Sequence, residues 1–99
     1  MILEVAEFEL QPGRLDEFLA VLPGGIAILK RAEGFISVDV FRGEEKPNSV
    51  LLVLRWETLE DHTVGFREGP LFPQWREVIS PFFATQPAVA HWHPAGLSG

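Results

Sequence analysis

An α+β fold of the ferredoxin-like, split βαβ kind is predicted for this chain, in the order β-α-β-β-α-β. Three observations carry the prediction. Four short segments, Ile2–Leu10, Phe35–Arg42, Val50–Leu54 and Ala88–His93, have the period-two alternation or the short apolar run of strands. Two longer stretches, Leu15–Leu29 and Leu59–Ile79, repeat apolar residues every three or four positions, as helices do. The two kinds interleave in the split βαβ order. That order gives a four-stranded antiparallel sheet whose first and third strands are central, with both helices on one face.

In Ile2–Leu10, Ile2, Ala6, Phe8 and Leu10 share one face, with Glu4 as the exception, and Leu3, Val5, Glu7 and Glu9 share the other. Gln11-Pro12-Gly13 ends the strand, because Pro12 has no N–H for a ladder and Gly13 tolerates positive φ. The first helical stripe is Leu15, Phe18, Leu19, Leu22, Ile26 and Leu29. It keeps phase across Pro23-Gly24-Gly25, so the expectation is a kinked helix or two short helices in line. Gly34 is the expected left-handed stop. In the second strand Ile36, Val38 and Val40 face one way, and Phe35, Ser37, Asp39 and Phe41 the other. Pro47-Asn48 marks the hairpin loop. Val50–Leu54, apolar without alternation and followed by Arg55-Trp56, reads as a strand covered on both sides. Thr58 is a natural N-cap for a helix carrying Leu59, His62 and Phe66 on one face. Gly69-Pro70 interrupts it. Leu71, Phe72, Trp75, Val78 and Ile79 form the next stripe, which Ser80-Pro81 stops. Ala88–His93 is the last strand, with Val89, His91 and His93 on one face.

The chain has 99 residues, which implies one domain, residues 1–93, followed by a loose tail, 94–99. Fourteen acidic against eight basic side chains give a net charge of −6 and no basic stripe. Nucleic acid and anionic membranes are therefore not expected partners. With no cysteine, disulfides, thiolate metal sites and cysteine nucleophiles are excluded. No apolar run reaches the roughly 18–20 residues of a membrane span. Met1-Ile2-Leu3-Glu4 lacks the basic start of a signal peptide, so a cytoplasmic location is expected. Two helices cover only one face of a four-stranded sheet. The other face still shows Val, Leu and Phe side chains, which implies a homodimer. The alternative is a C-terminal segment folded back over that face.

His62 is the first candidate for chemistry. On an apolar helix face it looks into the space between helix and sheet, and an imidazole there can take a phenolic proton. The alternative is a core histidine bonded to a carbonyl or to Asp61. Trp56 and Trp75 offer flat walls for a planar aromatic substrate, with Phe66 and Phe72 beside them. Simple core filling is the alternative for all four. Arg55 and Arg76 are candidates for binding a phenolate or carboxylate, against ordinary surface ion pairing. His91 and His93, with His62, have the spacing of a weak metal set, but a solvated or interface role fits better and no metal is expected.

Arg55-Trp56-Glu57-Thr58-Leu59-Glu60-Asp61-His62 resembles the strand-to-helix motif of antibiotic biosynthesis monooxygenase domains. Gly69-Pro70-Leu71-Phe72 and Glu33-Gly34-Phe35 match the family's later small–aromatic step and its Gly-Phe junction. The resemblance covers about residues 2–93. It implies a dimeric α+β barrel. It also implies oxidation of an aromatic, polyketide-like phenol by O₂ without flavin, haem or metal. In that chemistry His62 is the base, Trp56, Phe66, Phe72 and Trp75 are the walls, and Arg55 or Arg76 stabilises the anion. Quinone-forming members use Tyr and Asn in the pocket. This chain has no tyrosine, and its single asparagine, Asn48, lies in a loop. A second function class, a non-catalytic domain holding a small apolar ligand, requires the same pocket but no base.

Overall fold

The computed structural model describes residues 1–99. The elements are β1 (Ile2–Glu9), α1 (Leu15–Leu29), β2 (Phe35–Arg42), β3 (Ser49–Trp56), a π-helical turn (Asp61–Phe66), α2 (Leu71–Ile79), a 3₁₀ turn (Ser80–Phe82) and β4 (Ala88–Trp92). The sheet order is β2-β3-β1-β4 and every pairing is antiparallel. This is the ferredoxin-like arrangement, with β1 and β3 central. No helix is long and apolar enough to cross a membrane.

The core lies on one face of the sheet. Strand parity turns Ala6 and Phe8 of β1 and Val50, Leu52, Leu54 and Trp56 of β3 inward, where all are buried. Phe18, Leu22 and Leu29 of α1 and Trp75 and Ile79 of α2 close over them. Gly25 of α1 faces Trp75, and a Cβ there would stand 2.8 Å from the indole ring. The missing side chain lets the two helices approach closely. On the opposite face Leu3, Val5, Leu51 and Val53 are half-buried. Phe41 and Trp92 are 51 and 60 per cent exposed. The molecule measures 38 × 37 × 20 Å, a slab of one helical layer on one sheet. Residues 93–99 are exposed and do not cover the open face.

Helix α1 runs through Pro23 as one element, not as two short helices. Pro23 and Gly24 are exposed, so the carbonyl that Pro23 leaves unpaired lies on the solvent side of the helix. The helix also ends at Leu29, and Gly34 (φ +79°) instead closes the turn that leads into β2. A register shift between Phe35 and Ser37 puts Phe35 on the helix side, packed edge-on against Trp56 at 5.5 Å, and leaves Ile36 44 per cent exposed. Finally, the segment after Thr58 winds as a π-helix rather than an α-helix. Gly69 fits directly against the Gly65 carbonyl, where a Cβ would collide, so the segment closes on two glycines.

Candidate functional site

Three strands and the π-helical turn bring the polar groups together. Glu4 follows the inward parity of Ala6 and Phe8, so the exception in the apolar pattern of β1 is itself buried. In the sheet Glu4 stands opposite Leu54 of β3 and His91 of β4. The π-helical turn hangs over this point. Thr58 Oγ1 accepts the Asp61 N–H at 3.1 Å, and Gly34 leaves room for the Asp61 side chain, which a Cβ would overlap. The Arg67 N–H donates to the His62 carbonyl at 2.9 Å, five residues back. This turn is wider than an α-helical one, so it carries Arg67 back toward His62.

The resulting contacts form a chain. Trp56 Nε1–H donates to Glu4 Oε1 at 2.9 Å. His62 Nε2 lies 3.3 Å from the same oxygen. His62 Nδ1 lies 2.8 Å from His91 Nε2. The His62 ring stacks on the Trp56 indole, with centroids 5.2 Å apart and 27° between planes. A neutral imidazole carries one ring proton, so the His62–His91 hydrogen bond has one donor and one acceptor, set by the tautomer. The contacts run from His91 to His62 to Glu4.

Burial sets the charges. Desolvation pushes the Glu4 carboxyl from 4.5 up to about 7, against the opposing effects of the Trp56 hydrogen bond and the Arg67 charge. Desolvation also lowers His62 from 6.5 to about 4, helped by the positive charge of Arg67 and by His91. His91 is lowered too, by desolvation first and Arg67 second. The Glu4–His62 contact is therefore a close approach of a neutral imidazole to the carboxyl and not an ion pair at neutral pH. Arg67 acts on all three groups and has no carboxylate partner of its own among the ion pairs of the molecule.

The cluster opens on a cavity of about 360 Å³ between the sheet and α2. Of the residues expected at the site, His62, Phe66, Phe72, Trp75 and Arg76 line it. Trp56 does not reach it, being fully buried behind His62, and its part is to hold Glu4 and His62. Arg55 is not in the site either. One residue from inward-facing Trp56, it points to the opposite face and pairs with Asp39 at 3.0 Å. Three cavity groups lie outside the sequence expectation as site residues: Glu4, Arg67 and Gln86. His91 belongs with His62, but not as part of a three-histidine set. His93 lies beyond β4 and is exposed, and no three such side chains are arranged to hold a metal ion.

The whole is an α+β slab whose carboxylate–imidazole chain faces an aromatic-walled cavity. Residues 1–78 match the family model described as antibiotic biosynthesis monooxygenase, and the chain belongs to that family. It is 30 per cent identical over 92 residues to the uncharacterised protein YczJ of Bacillus subtilis, covering 93 per cent of this chain and 97 per cent of that one. It is also similar to a Bordetella bronchiseptica crystal structure assigned to the antibiotic biosynthesis monooxygenases. There the identity is 35 per cent, the TM-score is 0.91, and 95 and 96 per cent of the two chains are covered. A Streptomyces coelicolor monooxygenase from the ActVA-Orf6 gene, solved with the ligand Nanaomycin D, shares the fold. Its TM-score is 0.81 at 21 per cent identity, over 98 per cent of this chain and 89 per cent of that one.

Proposed function

We propose that this chain is a small cofactor-independent monooxygenase that oxidises an electron-rich, polyketide-like phenol with O₂. The observation that carries the reading is the buried Glu4–His62–His91 chain at the wall of an aromatic-lined cavity. Membership of the antibiotic biosynthesis monooxygenase family supports the reaction class. The Nanaomycin D complex of the Streptomyces neighbour supports a small-molecule substrate.

The chemistry needs two things from the protein. It must remove a proton from the substrate, and it must hold the anion in a dry pocket. The cluster centred on His62 takes the phenolic proton. The electron pair left on the substrate oxygen makes the ring a one-electron donor to O₂, giving a substrate radical and superoxide. Phe66, Phe72 and Trp75 hold this pair together and exclude water. Recombination and loss of water place one oxygen atom of O₂ in a quinone-type product and the other in water. Arg76, with Arg67, stabilises the anion before electron transfer.

The working unit in this reading is a homodimer joined through the open sheet face. A second copy of the chain suits that face, because the exposed apolar side chains Phe41 and Trp92 flank the half-buried row Leu3, Val5 and Val53. Labelling tests the reaction. Incubation with ¹⁸O₂ and an anthrone or a dihydroxynaphthalene, with chelator present, gives a quinone carrying one labelled atom. A product labelled from water, or no product across the panel while the ligands bind, overturns the oxygenase reading in favour of a binding domain.

A further inference from the structure

Resting on that oxygenase reading, we propose that Glu4 Oε2, and not a ring nitrogen of His62, is the atom that receives the substrate proton. His62 Nδ1 is hydrogen-bonded to His91 at 2.8 Å, and Nε2 stands against Glu4 Oε1 at 3.3 Å. His62 is only 3 per cent exposed, and each of its ring nitrogens has one of these two residues standing against it. Glu4 differs in keeping one oxygen free. Its Oε1 accepts from Trp56 and faces His62. Its Oε2 has no hydrogen-bond partner in the protein, yet the molecule contains no buried side-chain oxygen or nitrogen left without one. Oε2 must therefore be accessible, and Glu4 lines the cavity. The carboxylate is held on one oxygen and offers the other to the ligand.

The step is a proton transfer. The substrate O–H bond breaks, its proton bonds to Oε2, and its electron pair stays on the substrate oxygen. Glu4 becomes a neutral carboxyl, still fixed through Oε1 by the Trp56 hydrogen bond, with His62 against it. A carboxyl raised to about 7 by burial suits this role, because a base works best near the operating pH. The groups around it are His62 and Arg67 from the π-helical turn, His91 from β4, Arg76 from α2 and the neutral Trp56 from β3. Arg67 lines the same cavity and supplies a positive charge for the new anion. His62 and His91 are positioning residues. They orient the carboxylate and keep Oε2 turned to the cavity.

Two measurements on the purified full chain test the assignment. The first is the pH profile of kcat/KM for O₂ uptake with a dihydroxynaphthalene. Wild type rises through pH 7. Glu4→Gln loses that limb and on the order of 10²- to 10⁴-fold in rate. Glu4→Asp recovers part of the rate, and His62→Gln keeps a limb at a displaced pH. The second needs no oxygen. Infrared difference spectra on adding the naphthol anaerobically at pH 8.5 show a protonated carboxyl appearing in wild type and in His62→Gln, but not in Glu4→Gln. A Glu4→Gln variant with wild-type rate, or a protonated-carboxyl band that survives in it, overturns the assignment. If wild type consumes no O₂, the oxygenase reading falls. The infrared arm still decides Glu4, and absence of the band in wild type overturns the proposal.

Discussion

Replacing Glu4 with glutamine changes stability in a way that depends on pH. Burial raises the folded-state pKa of this carboxyl from 4.5 to about 7. A group raised on folding binds more protons in the folded state between those values. Its contribution is fully present below pH 4.5 and is lost as pH rises through 7. At about 1.4 kcal/mol per pH unit, the full loss is roughly 3 kcal/mol, most of it between pH 5 and pH 8.5. Glutamine keeps an acceptor for Trp56 and carries no charge to desolvate. Glu4→Gln should therefore gain about 2–3 kcal/mol over wild type between those two pH values. In a domain this size that is a shift in Tm on the order of 10 °C. His62 runs the other way. Lowered from 6.5 to about 4, it contributes stability above pH 6.5 that is lost as pH falls toward 4. The two slopes offset each other between pH 4.5 and 6.5. Wild type is thus nearly flat in that window, while Glu4→Gln climbs with pH. Urea unfolding at pH 5 and 8.5, at one protein concentration, measures both variants. An equal Glu4→Gln effect at the two pH values refutes the buried, cavity-facing carboxylate.

Two further outcomes follow from the packing. Gly25→Ala drives a methyl group to within 2.8 Å of the Trp75 ring, so urea unfolding should show a loss of about 1–3 kcal/mol, and the displaced indole should weaken binding of aromatic ligands. A ligand affinity equal to wild type contradicts the cavity wall assigned to Trp75. Sedimentation equilibrium at micromolar concentration should give twice the 11.1 kDa chain mass, and Trp92→Glu should give the single-chain mass. A monomeric wild type contradicts the dimer.

Much of the fold was legible in the sequence because burial and periodicity act locally. The two central strands, the α1 stripe and the Thr58 cap all follow from residue spacing. Pro23 stays inside a single helix because a proline on the solvent side leaves its orphan carbonyl near water. The β2 bulge and the π-helical winding were not legible, because both depend on contacts between segments far apart in sequence.

The site was half legible. His62, Phe66, Phe72, Trp75 and Arg76 reach the cavity as their helical spacing implies. Arg55 does not, and strand parity already held the reason: beside an inward Trp56 it must point outward. Glu4 carried a usable signal, a lone acid at a core position of a central strand. Its partner His91 sits opposite it only through the β1–β4 register, and no pattern within either strand reveals that pairing. Arg67 reaches the cluster through the π-helical turn, where an α-helix would have turned it away.

The most direct test of the account is O₂ consumption by the metal-stripped protein with anthrones and dihydroxynaphthalenes, wild type beside His62→Ala. The account predicts one O₂ consumed per substrate by wild type and loss of that uptake when the cluster is broken. Uptake unchanged in His62→Ala, or none from wild type with substrates that bind, contradicts it.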